Sequence, residues 1–177
     1  SAQINLNEYK GNSVPNWHLS MMNDLPRNKA YFEAIKLAIN ENDLVLDIGT
    51  GSGILSMMAI DAGAKKVITC ESSSIISEIA EKIIHKNGYS KTINVIKKKS
   101  TDLIIGKDLP RKADVVISEI LSAEFVGEGV CSSIIDANNR LLAENGRMIP
   151  ESGSIMIALL GESTEITNEV RVGNING

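Results

Sequence analysis

Apolar residues fall along the chain in short blocks separated by turn-forming residues, and the spacing inside each block predicts its element. Leu44 to Ile48, Lys66 to Cys70, Ile93 to Lys97 and Ala113 to Ser118 have the length and aliphatic content of buried strands. Ile54 to Ala62 and Ser74 to Asn87 carry the longer helical period, the second ended by Gly88. A further helix is predicted around Gly129 to Leu142, followed by an apolar run from Arg147 to Pro150. Upstream, Tyr31, Phe32, Ile35, Leu37, Ala38 and Ile39 form a helical pattern, with Pro26 suited to its first turn and Asp24 to its cap. Strands alternating with helices predict an α/β fold, a parallel sheet with helices on both faces that binds ligands at the carboxyl ends of its strands. Gly49, Glu71, Ser100 and Glu119 all fall at such ends, so a single crevice is expected. Residues 1–13 read as a loose lead-in and 14–150 as the domain. Ser152 to Leu160 reads as one more extended strand, and 151–177 as the start of another unit.

The chemistry begins in Leu44 to Gly53, a strand running into three glycines at alternate positions. Without side chains at Gly49, Gly51 and Gly53 the backbone can take positive φ, and a ligand can approach the main chain and the first N–H groups of the following helix. Dinucleotide loops read G-x-G-x-x-G; here the third glycine comes one residue early, which argues against NAD or FAD. The pattern D-x-G-x-G-x-G from Asp47 resembles motif I of class I S-adenosylmethionine-dependent methyltransferases. Glu71 ends the second strand 22 residues past Gly49, where an acidic side chain accepts from ribose hydroxyls.

Composition excludes more than it adds. The 177 residues, 43% of them hydrophobic, suffice for one domain with a real core. No run approaches the ~18 apolar residues of a membrane span, and neither a signal peptide nor a membrane partner is expected. Cys70 and Cys131 lack metal-site spacing, so both are expected to be core thiols in a reducing compartment, with no metal. A net charge of −4 offers no basic footprint for nucleic acid, and Lys97 to Lys99 read as a solvated strand end.

The second informative stretch is Ser118 to Gly129, which carries Glu119, Glu124 and Glu128 on a loop after the fourth strand. Glu119 and Glu128 stand nine residues apart, and the stretch resembles the double-glutamate loop of protein arginine methyltransferases. The resemblance implies that this pair is catalytic and grips the substrate guanidinium. A guanidinium is always charged and a poor nucleophile until its charge is held away from one nitrogen, which two carboxylates can do. The same family has a cofactor-covering helix reading H-x-x-M-x-x-D-x-x-R, matched by His18, Met21, Asp24 and Arg27. By that resemblance Arg27 pairs with the cofactor's methionine carboxylate and Met21 packs near the reacting methyl. Ser100 and Thr101 fall where the family contacts adenine, a contact expected from Thr101, the backbone of Ser100, or Asp102.

Resemblance covers Trp17 to Pro150, and details such as Phe-Val-Gly-Glu-Gly look most like the tandem-module members numbered seven and nine. It implies a Rossmann-like domain that binds S-adenosylmethionine, yields S-adenosylhomocysteine and methylates a protein arginine, in the cytoplasm or nucleus. The family's Tyr-Phe-x-x-Tyr motif is absent, as are its Thr-His-Trp loop and the C-terminal β-barrel that carries that loop. The chain alone is therefore expected to bind cofactor as a monomer and to turn over poorly. Two other readings stay open: a class I methyltransferase acting on a small molecule or nucleobase amine, and a non-catalytic module binding cofactor or partner.

Overall fold

The computed structural model describes residues 21–121 and 129–155. Helix α1 (Leu25–Ala38) opens on the predicted cap, the Asp24 carboxylate accepting from the Arg27 backbone N–H at 3.0 Å, with Pro26 in the first turn. There follow β1 (Leu44–Ile48), α2 (Ile54–Asp61), β2 (Lys66–Cys70), α3 (Ser74–Lys86) and β3 (Ile93–Ile96). A 3-10 turn (Ser100–Asp102) leads to β4 (Ala113–Ser118), then α4 (Val130–Asp136), a π-helical turn (Ala137–Leu141) and β5 (Leu142–Ile149).

All five strands pair in parallel in the order β3-β2-β1-β4-β5. The chain moves outward from β1 to β3 on one side and from β4 to β5 on the other. Right-handed crossovers therefore place the two sets of helices on opposite faces. On one face Ile35 of α1, Ala59 of α2, and Ala80 and Ile84 of α3 pack on Val45, Val67, Val115 and Ile117. On the other, Ala137 and Leu141 join Leu103 and Leu109 over Leu46, Ile68 and Val116. Central β1 is buried at every position, which accounts for its nearly unbroken apolar sequence.

Register positions the site. Ile48 stands level with Cys70 on one side and Ser118 on the other, and Cys70 with Ile96. Gly49, Glu71 and Glu119 thus step off one row of strand ends at the point where strand order reverses, the crevice position of open α/β sheets.

Three expectations need correction. The last helix, with its π turn, fills the predicted stretch, but β5 starts at Leu142 rather than Arg147, because Ala113 pairs with Leu142 and Val115 with Arg147, the intervening residues bulging out of the ladder. Glu144-Asn145-Gly146 has the composition of a loop, which hides a strand that folds tightly on itself; a Cβ at Gly146 would lie 2.5 Å from Leu142 Cδ1. Cys131 is exposed, since it lies in the first turn of α4 away from the sheet, whereas Cys70 is buried as expected. Residues 152–155 form no strand, and the rest of that predicted strand lies outside the described residues.

Candidate active site

The glycine loop is pinned to the neighbouring strand: the N–H groups of Gly49 and Thr50 both donate to the Cys70 carbonyl, at 3.0 and 3.1 Å. Its glycines meet different demands. Gly49 (φ +84°) lies under the loop after β4, where a Cβ would stand 2.5 Å from Ile120 Cγ2. Gly53 (φ +83°) lets α3 approach, for a Cβ there would lie 2.9 Å from Ile84 Cγ1. At Gly51 (φ +53°) a Cβ would meet only the Gly49 carbonyl, at 3.9 Å, so the main chain is bare on the crevice side. Gly53→Ala should therefore cost about 2 kcal/mol from combined backbone strain and overpacking, and Gly63→Ala, with positive φ but open space around it, only about 1 kcal/mol. Urea denaturation of the two variants checks this, and equal losses would contradict the packing role of Gly53.

Beneath the loop Asp47 is fully buried. Its Oδ2 accepts from Ser56 Oγ at 2.6 Å and Thr69 Oγ1 at 3.2 Å, and the Thr69 hydroxyl shares a 2.6 Å hydrogen bond with that of Thr50. Asp47 Oδ1 has no hydrogen-bond partner among the described residues. Burial pushes this carboxyl up to about 7, against the opposing pull of the Ser56 and Thr69 hydrogen bonds. The adjacent Cys70 thiol is pushed up to about 12, chiefly by burial, and is no nucleophile.

In front of the loop lies a cavity of about 490 Å³. Met21, Arg27, Gly49, Gly51, Glu71, Ser100, Thr101 and Glu119 all line it, so most of the residues singled out in the sequence come together. Asp47 and Gly53 do not line it: both sit behind the wall, one bracing the loop and the other packing α3. Glu128 and His18 lie outside the described residues. The Glu71 carboxylate faces the loop, accepting from Gly51 N–H at 3.3 Å and from Ser73 N–H at 2.9 Å. Opposite, Lys98 is held by both oxygens of Asp108 at 2.8 Å, and the Ser100–Asp102 turn closes the far end.

At the near end Arg27 makes an ion pair with Glu119, both side chains less than one-fifth exposed. Its guanidinium also stacks over the Tyr31 ring at 5.3 Å, and Tyr31 donates to the Ser118 carbonyl at 3.2 Å. Burial first, then the Glu119 charge, pushes the Tyr31 hydroxyl up to about 12, so it remains a donor. Tyr31 registers in the sequence only as one apolar position of a helix. Ser132 and Ser133 of α4 also line the cavity, and their sequence signal is a polar pair at the start of an otherwise apolar helix. Among the described residues no cluster of His, Cys, Asp and Glu could hold a metal ion, and no helix is long and apolar enough to cross a membrane.

A five-stranded parallel sheet reversing between β1 and β4, with a glycine loop and an acid at the next strand end, defines a class I methyltransferase-type domain. Residues 28–157 match the family model described as ribosomal protein L11 methyltransferase (PrmA). That description names a different substrate, and the match spans the core from α1 to β5. The finer likeness comes from relatives. An arginine N(omega)-methyltransferase of Streptomyces achromogenes subsp. streptozoticus is 42% identical over 81% of this chain and 40% of its own length. Protein arginine N-methyltransferase 7 of Drosophila ananassae is 43% identical over 73% of this chain and 20% of its own. Among solved structures, a Trypanosoma brucei PRMT1 enzyme–prozyme heterotetrameric complex with AdoHcy superposes with a TM-score of 0.68 at 30% identity, covering 75% of this chain and 41% of that one. Arabidopsis thaliana protein arginine methyltransferase 10 does so with a TM-score of 0.67 at 33% identity, over 76% and 38%. The chain belongs to the protein arginine N-methyltransferase family. It spans about two fifths of the Streptomyces relative and one fifth of the Drosophila one.

Proposed function

We propose that this chain is the cofactor-binding part of an arginine N-methyltransferase. The observation that carries this reading is Glu119: it steps off β4 into the cavity walled by the glycine loop and Glu71, and there it already holds a guanidinium, that of Arg27. The cavity fits a nucleoside cofactor, since Gly51 leaves bare main chain at its wall and Glu71 stands beside it as an acceptor for ribose hydroxyls. Arg27 at the near end suits the methionine carboxylate, and Ser100 and Thr101 at the far end suit adenine.

S-adenosylmethionine supplies an electrophilic methyl on a sulfonium and leaves as the S-adenosylhomocysteine thioether. The work of the chain is then positioning and electrostatics. Glu119, with Glu128 as its partner carboxylate, accepts N–H bonds from the substrate guanidinium and keeps positive charge away from the nitrogen that attacks. A lysine ammonium lacks the planar fork that two carboxylates grip together, which favours arginine. The same geometry accepts free arginine as well as a protein side chain. The name of the Streptomyces relative, which specifies arginine and no protein, keeps free arginine as a second reading. Methylation assays of an arginine-rich peptide against free L-arginine separate them, and absence of methylarginine from both would overturn the proposed activity. Two unpaired thiols, one of them exposed, support a reducing compartment, cytoplasm or nucleus.

Calorimetric titration with S-adenosylhomocysteine tests the cofactor site directly. Glu71→Ala should weaken binding ~10-fold to ~100-fold, the worth of charge-assisted hydrogen bonds to a ribose. Undiminished affinity in that variant would remove Glu71 from the site.

A further inference from the structure

Arg140 plays no part in that site, yet its guanidinium makes more hydrogen bonds than any other cation among the described residues. It lies in the π-helical turn after α4, where Asp136, four residues earlier, grips it through Nε at 2.7 Å and Nη2 at 2.8 Å. The remaining donors cross to the 3-10 turn at the far end of the crevice. Nη1 donates to the Leu103 carbonyl at 2.8 Å, and Nη2 to those of Thr101 at 3.1 Å and Ser100 at 3.3 Å. One planar fork, oriented by one carboxylate, thus takes two of the turn's carbonyls and that of Leu103 just after it.

The turn's donors divide differently. The N–H groups of Asp102 and Leu103 close it, donating to Lys99 and Ser100 carbonyls at 3.0 and 3.2 Å. Those of Ser100 and Thr101 have no hydrogen-bond partner among the described residues, as expected for the first N–H groups of a helical turn. Both residues line the cavity. What Ser100 and Thr101 can offer a ligand is therefore a pair of backbone donors, their carbonyls being engaged by Arg140. A purine with an unprotonated ring nitrogen at N1, as in adenine, complements such donors; hypoxanthine, whose N1 carries hydrogen, opposes them.

We propose that Arg140 is a positioning residue that holds the Ser100–Thr101 backbone as a donor edge and so sets the preference of the crevice for adenine. The inference rests on the reading of the cavity as a nucleoside cofactor site. Arginine is needed because only its fork reaches several carbonyls at once while bound to Asp136; lysine would retain the charge and a single contact.

The test is titration calorimetry of the full chain with S-adenosylhomocysteine and with S-inosylhomocysteine. The wild type should prefer the adenine compound by ~10-fold or more, the cost of setting one donor against another. In Arg140→Gln that ratio should fall toward one, chiefly through weaker S-adenosylhomocysteine binding, and Arg140→Lys should lie between. Glu71→Ala serves as the contrast, weakening both ligands while keeping the ratio. Should Arg140→Gln fail to fold, Asp136→Asn, which leaves the guanidinium in place but unclamped, should lower the ratio in a protein with an intact melting transition. An unchanged ratio in the folded variants, or equal binding of the two compounds by the wild type, overturns the inference. A wild type that binds neither compound overturns the cofactor reading itself, and this inference with it.

Discussion

Glu119→Gln is expected to slow arginine methylation by ~100-fold or more while leaving S-adenosylhomocysteine affinity within about threefold, measured on the full-length protein. The substitution keeps size and one acceptor but removes the charge that opposes the guanidinium, an interaction worth about 3 kcal/mol when half-buried and hydrogen-bonded. Its present partner sharpens the expectation. Arg27 is bound to Glu119 and is the residue best placed for a cofactor carboxylate, so the two anions compete for one cation. Removing the Glu119 charge should leave Arg27 freer for the cofactor, and affinity should hold or rise rather than fall. Loss of cofactor binding in step with activity would mean that Glu119 supports the crevice rather than the substrate. Retention of full activity would remove it from the reaction.

Most of the sheet was legible because β1, β2 and β4 are mostly aliphatic runs of strand length, interrupted only by single polar residues such as Asp47, Thr69 and Asp114, and buried parallel strands have this sequence signature. The site was legible for a related reason. Gly49, Glu71 and Glu119 need only follow strand ends to meet, since parallel register brings Ile48, Cys70 and Ser118 level. What the sequence hid depends on contacts distant along the chain. Nothing local tells that Gly53 faces Ile84 while Gly51 faces open space, or that Arg27 reaches Glu119, 92 residues away. β5 was obscured because Glu144-Asn145-Gly146 has loop composition, although Leu142 before it already pairs with β4. Nothing in the sequence marks Arg140 within the helix predicted around Gly129 to Leu142, and its reach to the Ser100, Thr101 and Leu103 carbonyls emerges only when α4 is packed over that turn.

The second large effect concerns stability. Asp47 has an ordinary carboxyl value of 3.8 when exposed and about 7 when folded, raised mainly by burial. A raised acid favours the folded state when protonated, so stability should increase as pH falls from about 7 toward 4, at up to ~1.4 kcal/mol per pH unit and about 4 kcal/mol in all. Above the folded value the penalty is complete and the dependence should flatten. Asp114 and Asp136 act in the opposite sense: arginine hydrogen bonds hold their carboxyls below the usual range, so their contributions are present above about pH 4 and are lost only in more acidic solution. Among the shifted groups of the described residues, Asp47 alone titrates in the interval between pH 5 and pH 8. Urea denaturation across that interval should show a rising midpoint toward pH 5 in the wild type and a nearly flat one in Asp47→Asn. The amide carries no charge to bury, and Ser56 and Thr69 can turn their hydroxyls to its oxygen. At pH 8 the variant should be the more stable of the two. A slope that survives in Asp47→Asn would assign it to another group, and a flat wild-type profile would mean that the carboxylate beneath the glycine loop ionises without cost.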